Sequence, residues 1–141
     1  MNILVPDASV ILKWLLPAHE EEDMEKALQI RDAYIREECL LHVPTLWFYE
    51  IGNTLSRRFP EHAGPLLEAI LELDLEEHQI QGHTLEITLD LIERFGVTFY
   101  DAAYHVVAIN EAGTLITADR KYYSKARAAE HIVCLQDWSL S

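Results

Sequence analysis

Asn2-Ile3-Leu4-Val5-Pro6-Asp7-Ala8-Ser9-Val10 is the stretch on which the fold turns. Asn2–Pro6 reads as a buried strand, apolar on both faces as strands in a helix-covered parallel sheet tend to be. Asp7 then interrupts the run, and Ser9–Leu16 continues with a helical pattern that Pro17 would stop. In an open parallel sheet, ligands collect beyond the carboxyl ends of the strands. Asp7 therefore stands where a site would be.

Three further runs share the character of the first: Leu40–Pro44, Thr114–Thr117 and Ile132–Leu135. Leu75–Gln81 offers a weaker extended piece. Helical patterns fill the intervals at Glu20–Glu38, Leu46–Arg58, Pro65–Leu73, Thr84–Phe95 and Ala102–Ala112. The first of them sets Met24, Ala27, Leu28, Tyr34 and Ile35 on an approximate stripe, and the third carries Leu66, Leu67, Ile70 and Leu71. In the fourth, Leu85, Leu89 and Ile92 recur at i, i+4 and i+7. Gly96 and Gly113 are placed to end their helices at C′. Strands alternating with helices predict an α/β layer fold with a mainly parallel sheet. Repeats, low-complexity tracts and linkers are missing, and 141 residues suit one domain, read here as 1–141.

Half the residues are hydrophobic, and with five glycines and five prolines the chain reads as globular. No apolar run reaches the roughly 20 residues of a membrane span. The opening lacks a basic signal-peptide region. Two cysteines, Cys39 and Cys134, with no CxxC spacing, suggest free thiols in a reducing, cytoplasmic setting. With 24 acidic and 11 basic residues the formal charge is −13, which repels polyanions at long range. The bases nevertheless cluster, as Arg57-Arg58 and as Arg120, Lys121, Lys125 and Arg127.

Four acids, distant in sequence, are expected at one sheet edge. Asp7 follows the first strand and Asp119 the Thr114–Thr117 strand; Glu50 lies in the second turn of the helix after Leu40–Pro44. Asp101 opens the helix leading to Asp119. Each of the aspartates also has a structural reading, Asp7 and Asp119 as N-caps and Asp101 as the end of a capping box with Thr98. Glu50 sits in Leu46-Trp47-Phe48-Tyr49-Glu50-Ile51, where a solvated face is hard to find and an unpaired carboxylate is costly. Carboxylates gathered this closely call for a divalent cation. An all-oxygen set suits Mg²⁺ or Mn²⁺. The seven histidines show no H-x₃-H or HExxH spacing, so zinc is disfavoured, and His105 and His131 read as ordinary partly buried residues. A phosphatase of the aspartate type would want an acid where Ser9 stands, and no GxGxxG marks a dinucleotide site.

At these residues the chain resembles the PIN-domain family, and within it the VapC-type toxins of prokaryotic toxin–antitoxin pairs. The resemblance rests on Val5-Pro6-Asp7-Ala8-Ser9-Val10 with Lys13-Trp14, on Val43-Pro44 followed by Glu50 and Asn53, on Thr98-Phe99-Tyr100-Asp101-Ala102-Ala103-Tyr104, and on Leu115-Ile116-Thr117-Ala118-Asp119-Arg120. Four pieces in register cover nearly the whole chain. The resemblance implies a three-layer fold with a central sheet of four to five strands, and a Mg²⁺- or Mn²⁺-dependent endoribonuclease. It also implies a cognate antitoxin and permits a homodimer. Asp7, Glu50, Asp101 and Asp119 map onto the family's acidic quartet, with Ser9, Asn53 and Thr117 as polar support. Arg57, Arg58, Arg120 and Lys121 are the candidates for flanking RNA phosphates. The competing reading is a PIN-fold module that binds protein or RNA with little turnover.

Overall fold

A computed structural model describes residues 1–16 and 23–140. The expected helix stop at Pro17 and the expected helix start at Glu20 lie outside the described residues. Five parallel strands form the sheet: β1 (Ile3–Pro6), β2 (Leu40–Pro44), β3 (Glu76–His78), β4 (Thr114–Thr117) and β5 (Ile132–Cys134), in the order β3-β2-β1-β4-β5. Seven α-helices accompany them among the described residues: α1 (Ala8–Leu15), α2 (Met24–Ile35), α3 (Trp47–Arg58), α4 (Ala63–Leu71), α5 (His83–Phe95), α6 (Phe99–Asn110) and α7 (Arg120–Ala126). None is long and apolar enough to cross a membrane.

The strand order determines the layers. From β1 the chain steps outward to β2 and β3, then returns over the sheet to β4 and β5 on the other side of β1. Right-handed crossovers consequently put α1–α4 on one face and α5–α7 on the other. The packing agrees: α1 lies against α2 and α3, whereas α6 covers β1, β2 and β4 with α5 and α7 beside it. The chain reverses direction between β1 and β4, and this topological switch opens a crevice at their carboxyl ends. Val5, Leu41, Val43, Leu115 and Ile116, at 1% exposure or less, fill the sheet's core from the apolar runs that announced it.

Helix faces are less faithful to the sequence stripes. Leu85 and Leu89 are exposed on α5, which buries Thr88 and Leu91 instead. Ile35 and Leu71 are exposed as well. A stripe marks the apolar side of a helix, but the neighbour decides how much of it is covered.

Gly96 ends α5 in the left-handed region, as expected, at φ 64°. At the end of α6 that conformation falls to Ala112, at φ 55°. Gly113 N–H then bonds back to the Ala108 carbonyl at 2.8 Å, closing a Schellman turn one residue earlier than the sequence suggested. Gly113 is needed for closeness: a Cβ there would stand 2.6 Å from the Ile3 carbonyl oxygen of β1.

Candidate active site

Each of the four acids stands at the start of a helix on the carboxyl edge of the sheet. Asp7 is the N-cap of α1 and Asp119 that of α7; Glu50 and Asp101 lie in the first turns of α3 and α6. Glu50 is thus a turn earlier in its helix than expected, because α3 begins at Trp47. Helix N-termini carry partial positive charge, which helps four carboxylates share one edge.

The caps are real, and they leave oxygen to spare. Asp7 Oδ1 accepts from Ser9 N–H at 3.0 Å and Val10 N–H at 3.3 Å, and from the Ser9 hydroxyl. Ser9 Oγ also accepts the Ala118 N–H at 2.9 Å, fastening the β1–α1 junction to the β4–α7 junction. Asp119 Oδ1 accepts the Lys121 and Tyr122 N–H groups, each at 3.0 Å. Thr117, fully buried, receives the Asp119 N–H at 3.0 Å. In the capping box of α6 only one half forms: Thr98 Oγ accepts the Asp101 N–H at 3.1 Å. No return bond from the Thr98 N–H to the Asp101 carboxylate forms among the described residues, although the Thr98 side chain interacts with that carboxylate.

Electrostatics tie the four together. Burial pushes the Asp7 carboxyl up to about 6, against the pull of hydrogen bonds from Ser9, Thr117 and Val10, and the Asp101 charge raises it further. Burial likewise raises Glu50, opposed by Tyr104 and reinforced by Asp101. Asp101 is raised by burial, lowered by its bond with Thr98, raised by Asp119 and lowered by Lys125. Asp101 links the set: its charge raises Asp7 and Glu50, and the Asp119 charge raises it.

Tyr104 was named from the sequence only within a motif, and Lys125 only within a basic cluster; the structure brings both to the acids. The Tyr104 hydroxyl donates to Glu50 Oε1 at 2.6 Å. Tyr104 lies three residues beyond Asp101, on the same helix face, and that spacing was the signal available. Lys125 stands near enough to Asp101 to favour its ionised form. Glu50 is accordingly half-buried with a hydroxyl partner, and the start of α3 is apolar on one side only: Trp47 is 2% exposed and Tyr49 80%. Asn53, Arg57 and Arg58 are exposed further along α3, and Arg58 stacks over Phe59. Arg57 makes no ion pair with Glu50 among the described residues. Arg120 bonds Gln136, and Lys121 sits beside it at the α7 start. His105 is wholly buried instead of partly so. Its Nε2 meets the Glu130 carbonyl at 2.8 Å, so that nitrogen carries the proton and Nδ1 accepts from the Tyr122 hydroxyl at 2.7 Å. His131 is exposed and donates to the Gly113 carbonyl.

The family model of the PIN domain matches residues 4–128. The chain belongs to the PIN-domain family. This PIN domain is 32% identical over 130 residues to Ribonuclease VapC3 of Pyrobaculum aerophilum, spanning 86% of this chain and 93% of that protein. Among solved structures it resembles FitAcB from Neisseria gonorrhoeae, with a TM-score of 0.71 at 16% identity over 96% of this chain and 99% of that one. DNA-bound VapBC from Salmonella typhimurium gives 0.69 at 13% identity over the same shares. At such identities these structures speak for the fold.

PIN nucleases depend in general on a divalent metal, and the donors here fit one. All four acids offer hard carboxylate oxygen, and three are held above the ordinary carboxylate range by burial and mutual repulsion, an imbalance that a cation removes. Among the described residues no three of these acids form a group close enough to hold an ion together.

Proposed function

We propose that this chain is a divalent-metal-dependent endoribonuclease and the toxin of a toxin–antitoxin pair. Asp7, Glu50, Asp101 and Asp119 form its catalytic set, with Mg²⁺ or Mn²⁺ as the ion. The observation that carries the reading is the meeting of four helix-start carboxylates at the switch point of a PIN fold whose 32% identical relative is a ribonuclease.

When bound, a divalent cation supplies positive charge at the attacked phosphate and acidity to a water. The chain's own residues do the holding. Tyr104 donates to one oxygen of Glu50 and thereby aims the other. Ser9 and Thr117 hold Asp7 and the Asp119 backbone in register across the crevice. Lys125, Arg120 and Lys121 flank the acids on the α7 side, where phosphates next to the scissile bond would pass. Arg57 and Arg58, exposed near the end of α3, are the other candidates for phosphate contacts. In-line attack of water leaves a 5′-phosphate and a 3′-hydroxyl without using the ribose 2′-hydroxyl.

A formal charge of −13 and a carboxylate-lined crevice suit a protein partner with a basic segment. An antitoxin that inserts Arg or Lys among the quartet would pair with it and compete with the cation. The reading includes a homodimer in the cytosol, since Leu71, Leu85 and Leu89 leave apolar surface on α4 and α5. The test is RNA cleavage by the purified chain with Mn²⁺, with Mg²⁺ and with excess chelator, beside Asp7→Asn. Cleavage that needs the ion and Asp7 supports the reading. Full cleavage in chelator, or by Asp7→Asn, refutes it. Binding of RNA without cleavage under any ion favours the low-turnover module.

A further inference from the structure

We infer that His42, His78 and Glu111 form a second cation site, separate from the acidic quartet, for a transition-metal ion of the Zn²⁺ kind. Among the described residues these are the three metal-binding side chains whose ligand atoms all lie within 4.8 Å of one another. His42 and His78 are 36 residues apart, with no sequence spacing to announce them. The sheet brings them together. Pro44 of β2 pairs with His78 of β3, and His42 lies two residues before Pro44, on the same face. Their rings stack at 4.8 Å with 25° between planes, and His78 Nε2 approaches His42 Nδ1 to 2.7 Å.

The third donor arrives from α6. Glu111 is its C-cap, where the negative end of the helix adds to the attraction for a cation. Asn110 Nδ2 holds Glu111 Oε2 at 3.0 Å, and Oε1 faces His42 Nδ1 at 3.9 Å. Such an outer hydrogen bond is what orients a metal-binding carboxylate. Glu76, paired with His42 across the sheet, contributes a second negative charge to its field. Burial and the neighbouring imidazole lower the proton affinity of His42.

At present one proton is shared between the two facing nitrogens. Binding an ion requires both lone pairs, so the donor ring must carry its proton on its other nitrogen, with no net proton released. Tetrahedral Zn–N bonds of about 2.0–2.1 Å put two nitrogens roughly 3.3 Å apart. The pair must therefore open by well under 1 Å, within the reach of side-chain torsions. Two imidazoles and a carboxylate select Zn²⁺, Co²⁺ or Ni²⁺ over Mg²⁺. Three protein ligands leave a fourth position for water. Ten residues of α6 separate Asp101 from Glu111, about 15 Å along the helix, so the two sites are distinct. An ion here clamps the three-residue edge strand β3 to β2 and to the end of α6, and binding it stabilises the fold.

The test uses the full chain in excess Mg²⁺, which occupies oxygen-only sites. Zn²⁺ affinity is read by competition with a chromophoric chelator, Co²⁺ coordination by its visible spectrum, and stability by thermal melts. The expected result is one Zn²⁺ per chain, a raised Tm, and a tetrahedral Co²⁺ spectrum with nitrogen ligands. Affinity should fall at least about 100-fold in His78→Gln and in Glu111→Gln, about 10-fold in Asn110→Ala, and remain in Asp7→Asn. Glu111→Gln changes a partly exposed residue at constant volume, so it tests the site even if His78→Gln does not fold. The inference is overturned if the wild-type chain binds no Zn²⁺, if Glu111→Gln binds as tightly, or if Asp7→Asn removes the binding.

Discussion

Replacing Asp7 with Asn should stabilise the metal-free protein at neutral and alkaline pH while abolishing its response to divalent ions. The Asp7 carboxyl is raised from 3.8 to about 6, chiefly by burial. The folded state thus holds its proton more tightly than the unfolded chain, and stability is lost as pH rises from about 4 through 6. Above that window the ionised carboxylate costs about 3 kcal/mol, from some two units at 1.36 kcal/mol each, and about 2 kcal/mol after allowance for its partial exposure. Asn ranks with Asp as an N-cap, so the bonds from Ser9 N–H at 3.0 Å and Val10 N–H at 3.3 Å survive. Thermal or urea unfolding in chelator at pH 8 should show the variant more stable by about 1–2 kcal/mol, or roughly 4–8 °C in Tm for a domain of this size. At pH 4 the two proteins should nearly coincide. Adding Mn²⁺ at pH 8 should raise the Tm of the wild type and leave the variant unmoved. A variant less stable than wild type in chelator, by an amount independent of pH, would mean that Asp7 is a helix cap and nothing more.

Glu50→Gln should lower Mn²⁺-supported cleavage by about 100-fold or more, since it removes a charge the cation needs, while the Tm in chelator holds or rises. Tyr104→Phe deletes the 2.6 Å bond to Glu50 at constant packing; cleavage should drop about 10-fold and stability by about 1 kcal/mol in urea melts, with metal affinity reduced. An unchanged cleavage rate in this variant would remove Tyr104 from the positioning set. Gly113→Ala forces a methyl against the Ile3 carbonyl and should cost about 1–3 kcal/mol in urea unfolding, without altering the metal dependence of whatever protein remains folded.

That the three aspartates fall at the carboxyl edge of the sheet was legible in the sequence because each is adjacent to a local signal. Asp7 ends a strand and caps a helix, Asp119 does the same after β4, and Asp101 follows the Thr98 cap. Strand ends and helix starts are set by nearby residues, and in a parallel sheet they all fall at one edge. The role of Tyr104 escaped notice because it depends on the orientation of α6 relative to α3, two helices on opposite faces of the sheet.

What could be read from residues alone was therefore local and periodic: the both-faced apolar runs, the helices between them, the acids at their junctions, and so the α/β class. Strand order, the β1/β4 crevice and the covering of helix faces depend on contacts between segments far apart in the chain. Leu85 and Leu89 form a good stripe with no partner over it among the described residues, and Gly113 is small because Ile3, more than a hundred residues away, passes beside it. The same holds for His42 and His78. Each is an unremarkable residue in its own strand, and the lateral pairing of β2 with β3 makes them neighbours. Pairing is a property of the whole sheet, fixed when the burial of all five strands is satisfied at once, and no window of the sequence contains it.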